Sequence, residues 1–169
     1  QHGSRPKRRS VYGQQLLEKQ KLKGYYGNIT EKQFRKIFQE ATRKRGNTSE
    51  ILLQLLESRL DAIIYRLNFV STVFAARQVV NHKHIKVNGQ VVNIPSYRCK
   101  PGDKLEIREK SQKIPLILES LQDMERDVPE YLTIDPVKFS GTFKRLPDLG
   151  EIPYPVQMNP GMVVEFYSR

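Results

Sequence analysis

Helical periodicity over the first eighty residues, an Asn88-Gly89 pair between two alternating runs, and a further strand candidate near the end predict an α+β chain of helices plus a small antiparallel sheet. The elements follow in order. Gln1 to Ser10 holds Arg5, Lys7, Arg8 and Arg9 with no acidic residue and no apolar anchor. Such a basic arm is expected to be disordered alone and to order against a phosphate backbone. From Tyr12 to Lys23 the pattern is helical, carries Lys21 and Lys23, and has Gly24 as its expected stop. Thr30, three residues ahead of Gln33, reads as a capping box. The helix it opens has Phe34, Ile37, Phe38 and Ala41 as its buried stripe and Arg35, Lys36, Arg43, Lys44 and Arg45 as its basic residues, and Gly46-Asn47-Thr48-Ser49 ends it and caps the next.

The stretch from Glu57 reads as one apolar helix holding Arg59 and Arg66. Their spacing nearly superposes them on a helical wheel, beside the stripe of Leu56, Leu60, Ile63 and Leu67. One flank is thus expected to face the core and the next to be cationic. In a second helix Ala75, Ala76, Val79 and Val80 share one side and Phe74, Arg77, Gln78 and Asn81 the other. The basic corner His82-Lys83-His84 leads into a hairpin whose Asn88-Gly89 pair tolerates the positive φ of a type I′ turn. That register puts Ile85, Val87, Val92 and Ile94 on one face and Lys86 with Asn93 on the other. Beyond Lys110 come a short helix candidate at Ile114 to Met124, a strand candidate at Tyr131 to Ile134, a proline-rich loop region from Gly141 to Pro160, and an apolar end at Met162 to Tyr167 that should be tied into a core.

Charge is unevenly spread. Residues 1–50 hold 13 Lys/Arg against 4 Asp/Glu, residues 51–110 hold 10 against 5, and residues 111–169 hold 6 against 9, within a net +11. A basic front two-thirds is the electrostatic footprint of a polyanion binder, with nucleic acid the first candidate. Cys99 is the only cysteine, which excludes an internal disulfide framework and a cysteine-cluster zinc site. No apolar run reaches membrane-spanning length, so no membrane association is expected. No catalytic constellation stands out. His82 and His84 would point the same way on a strand, but no acid or thiol stands at ligand spacing, so no metal is expected. Asp61 is positioned to orient a neighbouring arginine, and Tyr25 and Tyr26 can either stack on bases or pack.

Arg59-Leu60-Asp61, Arg66, Ala75-Ala76-Arg77-Gln78, Val80, His82, Ile85, Val87-Asn88-Gly89, Val92, Pro95-Ser96 and Gly102-Asp103 resemble the αL RNA-binding motif named after small-subunit ribosomal protein S-four. The module also occurs in pseudouridine synthases, some tyrosyl-tRNA synthetases and a heat-shock RNA binder. The remaining segments decide among these. Gln1-His2-Gly3, Tyr25-Tyr26-Gly27, Glu31 to Arg35, Lys44 to Thr48 and Val163 to Arg169 resemble the ribosomal family itself, so the resemblance covers essentially the whole chain. Thr72 to Arg77 and Pro153 to Val156 are similar to its alphaproteobacterial or organellar branch. Where many relatives have an acidic or polar residue and an arginine, this chain has Val73 and Phe74, which weakens the expectation of a base contact from that turn.

The resemblance implies a basic arm at 1–10, a helical domain at 11–56 onto which 141–169 packs back, and an inserted αL domain at 57–140 with an antiparallel sheet. It implies no enzyme and no cofactor. The implied function is a structural constituent of the small ribosomal subunit, a primary binder of its ribosomal RNA that nucleates assembly, with a role in translational accuracy. Implied partners are neighbouring ribosomal proteins, S-five among them, and messenger RNA; the implied location is the cytoplasmic bacterial ribosome, or the mitochondrial ribosome as the alternative. The competing reading is a non-resident RNA-binding factor acting on ribosomal subunits. The RNA-binding residues expected on this basis are the arm cations, Lys21, Lys23, the cations of the Thr30 helix, Arg59, Arg66, Arg77, Gln78, His82, Lys83 and Lys86, with Asn88 and Gly89 shaping the hairpin.

Overall fold

A computed structural model describes residues 10–169, so the arm cations Arg5, Lys7, Arg8 and Arg9 lie outside the described residues. Among the described residues there are seven α-helices and one sheet. Helix α1 runs Val11–Tyr25, capped by the Ser10 hydroxyl, which accepts from the Gly13 N–H. It passes through Gly24, the expected stop, and ends where Gly27 takes φ of +85°. A glycine inside a helix costs only about 1 kcal/mol, whereas the left-handed turn is what terminates it.

Helix α2 (Glu31–Arg43) begins at Thr30, whose side chain accepts from the Gln33 N–H. All four residues of its expected stripe are buried. Asn47 caps α3 (Thr48–Glu57). The expected continuous helix from Glu57 to Arg66 is broken: Ser58 ends α3, Arg59 is extended with ψ of 142°, and α4 (Leu60–Arg66) starts afresh. A neighbouring segment supplies what a side-chain cap would, because the Leu60 and Asp61 N–H groups donate to the Tyr97 and Pro95 carbonyls. Thr72 caps α5 (Val73–Asn81), whose buried side carries Ala76, Val79 and Val80 as expected, while Phe74 on the other side is 60% exposed.

Strands β1 (Ile85–Val87) and β2 (Gln90–Val91) form the expected hairpin, with Asn88 and Gly89 at φ of 50° and 84°. Ile85 and Val87 face the core and Lys86 the other side. Ile94 departs from its expected place and is exposed, because β2 stops at Val91 and Pro95 carries no N–H to extend the ladder. Strand β3 (Lys104–Ile107), helix α6 (Pro115–Gln122), β4 (Leu132–Asp135) and β5 (Ser140–Phe143) follow. The sheet order is β2-β1-β3-β5-β4, antiparallel throughout. Residues 141–143, expected in the returning segment, lie inside this sheet, so the return begins after them. It ends in α7 (Pro160–Tyr167), which packs on α1 and α3.

Two buried clusters result. One joins α4, α5, α6 and the sheet around Leu60, Ile63, Val80, Ile85, Leu105 and Phe143. The other joins α1, α2, α3 and α7 around Leu22, Phe34, Leu52, Leu56 and Val163. Between them sits Glu57, fully buried. Its carboxylate accepts from Arg66 Nε and Nη2, both at 3.0 Å, from the Tyr26 hydroxyl at 2.6 Å, and from the Tyr131 hydroxyl. Tyr26 spends its one proton on Glu57, so Tyr154 is the donor in the 2.6 Å contact between the two phenols.

Candidate nucleic-acid interface

Because α2 buries Phe34, Ile37, Phe38 and Ala41, its remaining positions face outward, and Lys32, Arg35, Lys36 and Arg43 stand among them beside Glu31, Glu40 and neutral polar residues. Lys36, Arg43 and Arg45 are exposed without an ion-pair partner among the described residues; Arg35 and Lys44 are exposed and only loosely paired, at 3.6 Å from Glu31 and 4.0 Å from Glu40. Such exposed pairs hold their side chains weakly and leave the cations available to a polyanion. Lys21 and Lys23 differ. Lys21 pairs with Glu18 at 3.0 Å, and Lys23 shares Glu31 with Lys19. Burial pushes the Glu31 carboxyl up, but hydrogen bonds from Lys19, Lys23 and Tyr167 outweigh it and hold it at about 2. Lys23 and Lys19 thus tie α1 to α2, and Lys19 also stands over the Phe166 and Tyr167 rings of α7, whereas Lys21 is held within α1.

The expected cationic flank of Arg59 and Arg66 is not at the surface. Their side chains are each 4% exposed and each spans a buried carboxylate. Arg66 grips Glu57 in the core; burial opposes charge on both, yet their attraction keeps the carboxyl below its usual range and the guanidinium above its own. Arg59 grips Asp61 through Nε at 3.2 Å and Nη2 at 3.1 Å, as the reading of Asp61 as an orienting acid expects. Seven-residue spacing superposed the two arginines on one helical wheel, which could not show that a helix break turns Arg59 inward or that Glu57 waits for Arg66.

Arg77 is the arginine of this set that reaches solvent. Its Nη1 donates to Asp61 at 3.1 Å while about a third of the side chain remains exposed. Gly27 lies against it: a Cβ there would stand 2.9 Å from Arg77 Cδ. The α1–α2 corner, Asp61 and Arg77 therefore meet at one place. Gln78 is exposed one residue further on.

The hairpin makes a second basic corner. His82 ends α5 and Lys83 takes φ of +66°, so the two histidines do not share a strand face as expected; their rings stand 71° apart, and His84 Nδ1 bonds the Ser111 hydroxyl at 2.7 Å. Burial, with His82 and Arg108 nearby, lowers the His84 pKa and favours the neutral ring. His82 and Lys83 are exposed and Lys86 half-buried. Tyr25 and Tyr26 pack rather than present free rings: both stand edge-on to each other and to Tyr154, and Tyr26 is buried.

Sequence reading missed Arg98 and Arg126. Arg98 reaches across to Glu40 in a two-pronged pair at 2.8 and 3.0 Å, and Arg126 stacks 4.0 Å over the Tyr65 ring while donating to the Tyr65, Val70 and Ser71 carbonyls. Neither lies in a periodic run, so only the Pro95-Ser96 motif beside Arg98 hinted at its place.

Comparison with known proteins fits this arrangement. Residues 1–57 match the ribosomal protein S4/S9 N-terminal domain and residues 58–105 the S4 domain. The chain is 62% identical to small ribosomal subunit protein uS4 of Maricaulis maris (strain MCS10) over 169 residues, covering 99% of this chain and 82% of that protein. It is 61% identical to the uS4 protein of Cereibacter sphaeroides (strain ATCC 17029 / ATH 2.4.9), covering 100% and 82%, and 57% identical to that of Rhodospirillum rubrum, covering 100% and 83%. Identity of this order along the whole chain, on a helical body joined to an S4 domain, means that the chain belongs to the uS4 family of small ribosomal subunit proteins.

Proposed function

We propose that this chain is a structural, non-enzymatic constituent of the small ribosomal subunit and binds its ribosomal RNA through the joined surface of α2, Arg77 and the β1–β2 hairpin. The observation that carries the geometric part is the set of exposed cations on and just after α2, unpaired or only loosely paired, together with Arg77 where Asp61 and Gly27 hold it. A rigid cationic face suits folded RNA, whose shape and phosphates are read more than its buried base edges. Affinity comes from displaced counterions and selectivity from the fixed spacing of the cations. Family membership favours a resident subunit protein over a transient factor.

Finer roles extend this reading. Early RNA binding would nucleate assembly; contacts with ribosomal protein S-five and messenger RNA would bear on decoding accuracy; the bacterial cytoplasmic ribosome is the location adopted, with the mitochondrial ribosome as the alternative. In support, the chain matches bacterial uS4 proteins, and among the described residues no helix is long and apolar enough to cross a membrane. The division into a helical part and an inserted αL part is supported by the two buried clusters flanking Glu57. The test is a filter-binding titration on small-subunit RNA across salt, with a chemical footprint. The log of affinity should fall against log salt with a slope of several units, as for roughly 6 to 10 neutralised phosphates. A flat response would refute the electrostatic mechanism.

A further inference from the structure

Where α2 faces the Pro95–Arg98 segment, a cavity of about 210 Å³ is lined by Gln33, Lys36, Ile37, Arg59, Ser96 and Arg98. Three of these six are cationic, and two are only partly used. Arg59 is 3% exposed and commits Nε and Nη2 to Asp61, leaving Nη1 without a partner among the described residues. Arg98 commits Nη1 and Nη2 to Glu40, leaving its Nε buried with no partner. Leaving a buried donor of a charged group unmet is costly, as for Arg98 Nε, and Arg59 Nη1 is a second guanidinium donor left uncommitted on the same cavity, so the lining calls for an acceptor. Glu40 and Asp61 do not cancel the site: Lys36, Arg59, Arg77 and Arg98 set four cations against two carboxylates. Hydrogen bonds from Arg98, opposed by burial, hold Glu40 below its usual pKa, so it stays ionised and keeps Arg98 in place.

From this we infer that the cavity is a built phosphate site, which takes one phosphodiester of the bound RNA between Arg59, Arg98 and Lys36, with the Ser96 hydroxyl and the Gln33 amide as neutral donors. A tetrahedral anion offers the several acceptor oxygens that the unmet donors require. Asp61 and Glu40 act here as positioning residues. Each occupies one edge of a guanidinium that lines the cavity and leaves one of its donors uncommitted. The inference rests on the RNA-binding reading and sharpens it, since it singles out one contact at the seam between the two cores.

Ser96 is exposed and makes no side-chain bond among the described residues, so Ser96→Asp should fold normally while putting a carboxylate at the cavity. Lys36→Ala removes a contact without adding repulsion, and Lys138→Ala, in the β4–β5 turn, controls for one unit of lost charge. Titrating each with a small-subunit RNA transcript across salt, Ser96→Asp should lose affinity on the order of tenfold, and both cavity variants should reduce the salt slope by about one. Lys138→Ala should stay within about twofold of wild type. If Ser96→Asp and Lys36→Ala match Lys138→Ala while wild type binds normally, the cavity is overturned and the general function stands. If wild type does not bind RNA, the function itself fails, and inorganic sulfate decides the cavity. Sulfate should then raise the thermal midpoint of RNA-free wild type more than that of Ser96→Asp, and equal shifts overturn the inference.

Discussion

Replacing Glu57 with glutamine changes one atom at the centre of the molecule and should be among its most damaging conservative substitutions. The carboxylate accepts four hydrogen bonds, two from Arg66 at 3.0 Å and one each from Tyr26 and Tyr131. Glutamine keeps one acceptor oxygen and turns an NH₂ toward donors, so two of the four bonds are lost. More seriously, Arg66, with 4% of its side chain exposed, is left charged and unpaired. Its nearest aromatic faces, Tyr25 and Tyr65, are 5.3 and 5.7 Å from the guanidinium carbon, too weak a substitute for a carboxylate. Breaking a buried pair by removing one partner costs about 3–5 kcal/mol. A domain of this size loses roughly 2–4 °C of thermal midpoint per kcal/mol, so a drop of about 6–20 °C is expected by circular dichroism. Adding Arg66→Met should recover part of the loss, because the stranded charge is then gone. Since Tyr26 belongs to the helical cluster and Tyr131 to the sheet cluster, amide exchange should rise at the seam near Ser58 before it rises in either core. A Glu57→Gln midpoint within 2 °C of wild type would mean that the buried network is not what joins the two parts, and the argument would fail.

Three further outcomes follow from particular contacts. Glu31 is held at about 2 and Glu57 below its usual 4.5, so their contribution is complete above pH 4.5 and should be lost as pH falls toward 2; an acid titration with no loss of stability across that window would contradict both assignments. Gly141→Ala would bring a Cβ to 2.8 Å from Leu67 Cδ2 and from the Thr133 carbonyl oxygen, so urea unfolding should show about 1–3 kcal/mol of destabilisation from overpacking, and an unchanged midpoint would show that β5 shifts freely. Gly89→Val meets no atom within 4 Å but forces φ of +84° on a β-branched residue, at about 1–2 kcal/mol. If the turn serves by aiming Lys86, RNA affinity should drop, and its double-mutant cycle with Lys86→Ala should lose less than the sum of the single losses.

What was legible in the sequence, and what was not, divides along a physical line. Caps, stripes and turns are local, and those at Thr30, Asn47, the Phe34–Ala41 stripe and Asn88-Gly89 stand where their residue types require. Each needs only neighbours a few positions away. The fate of a charge, by contrast, depends on what the fold brings to it. Arg59 and Arg77 are the same residue type with the same implied role, yet Asp61 takes two nitrogens of the first, which is buried, and one of the second, which stays about a third exposed. Arg66 is claimed by a carboxylate nine positions away on a different helix, and Arg98 by one fifty-eight positions away. No periodicity encodes such pairings. Their cost is nevertheless informative, because a chain that buries arginines in part-used pairs, rather than replacing them by apolar residues that would be as stable or more so, retains them for what the unpaired edge can still bind. On that argument Arg59, although buried, is not lost to the interface. Arg66 has given up both prongs to hold two cores together, while Arg59 keeps one nitrogen at the seam, within reach of an anion that only folded RNA would deliver there in register with α2.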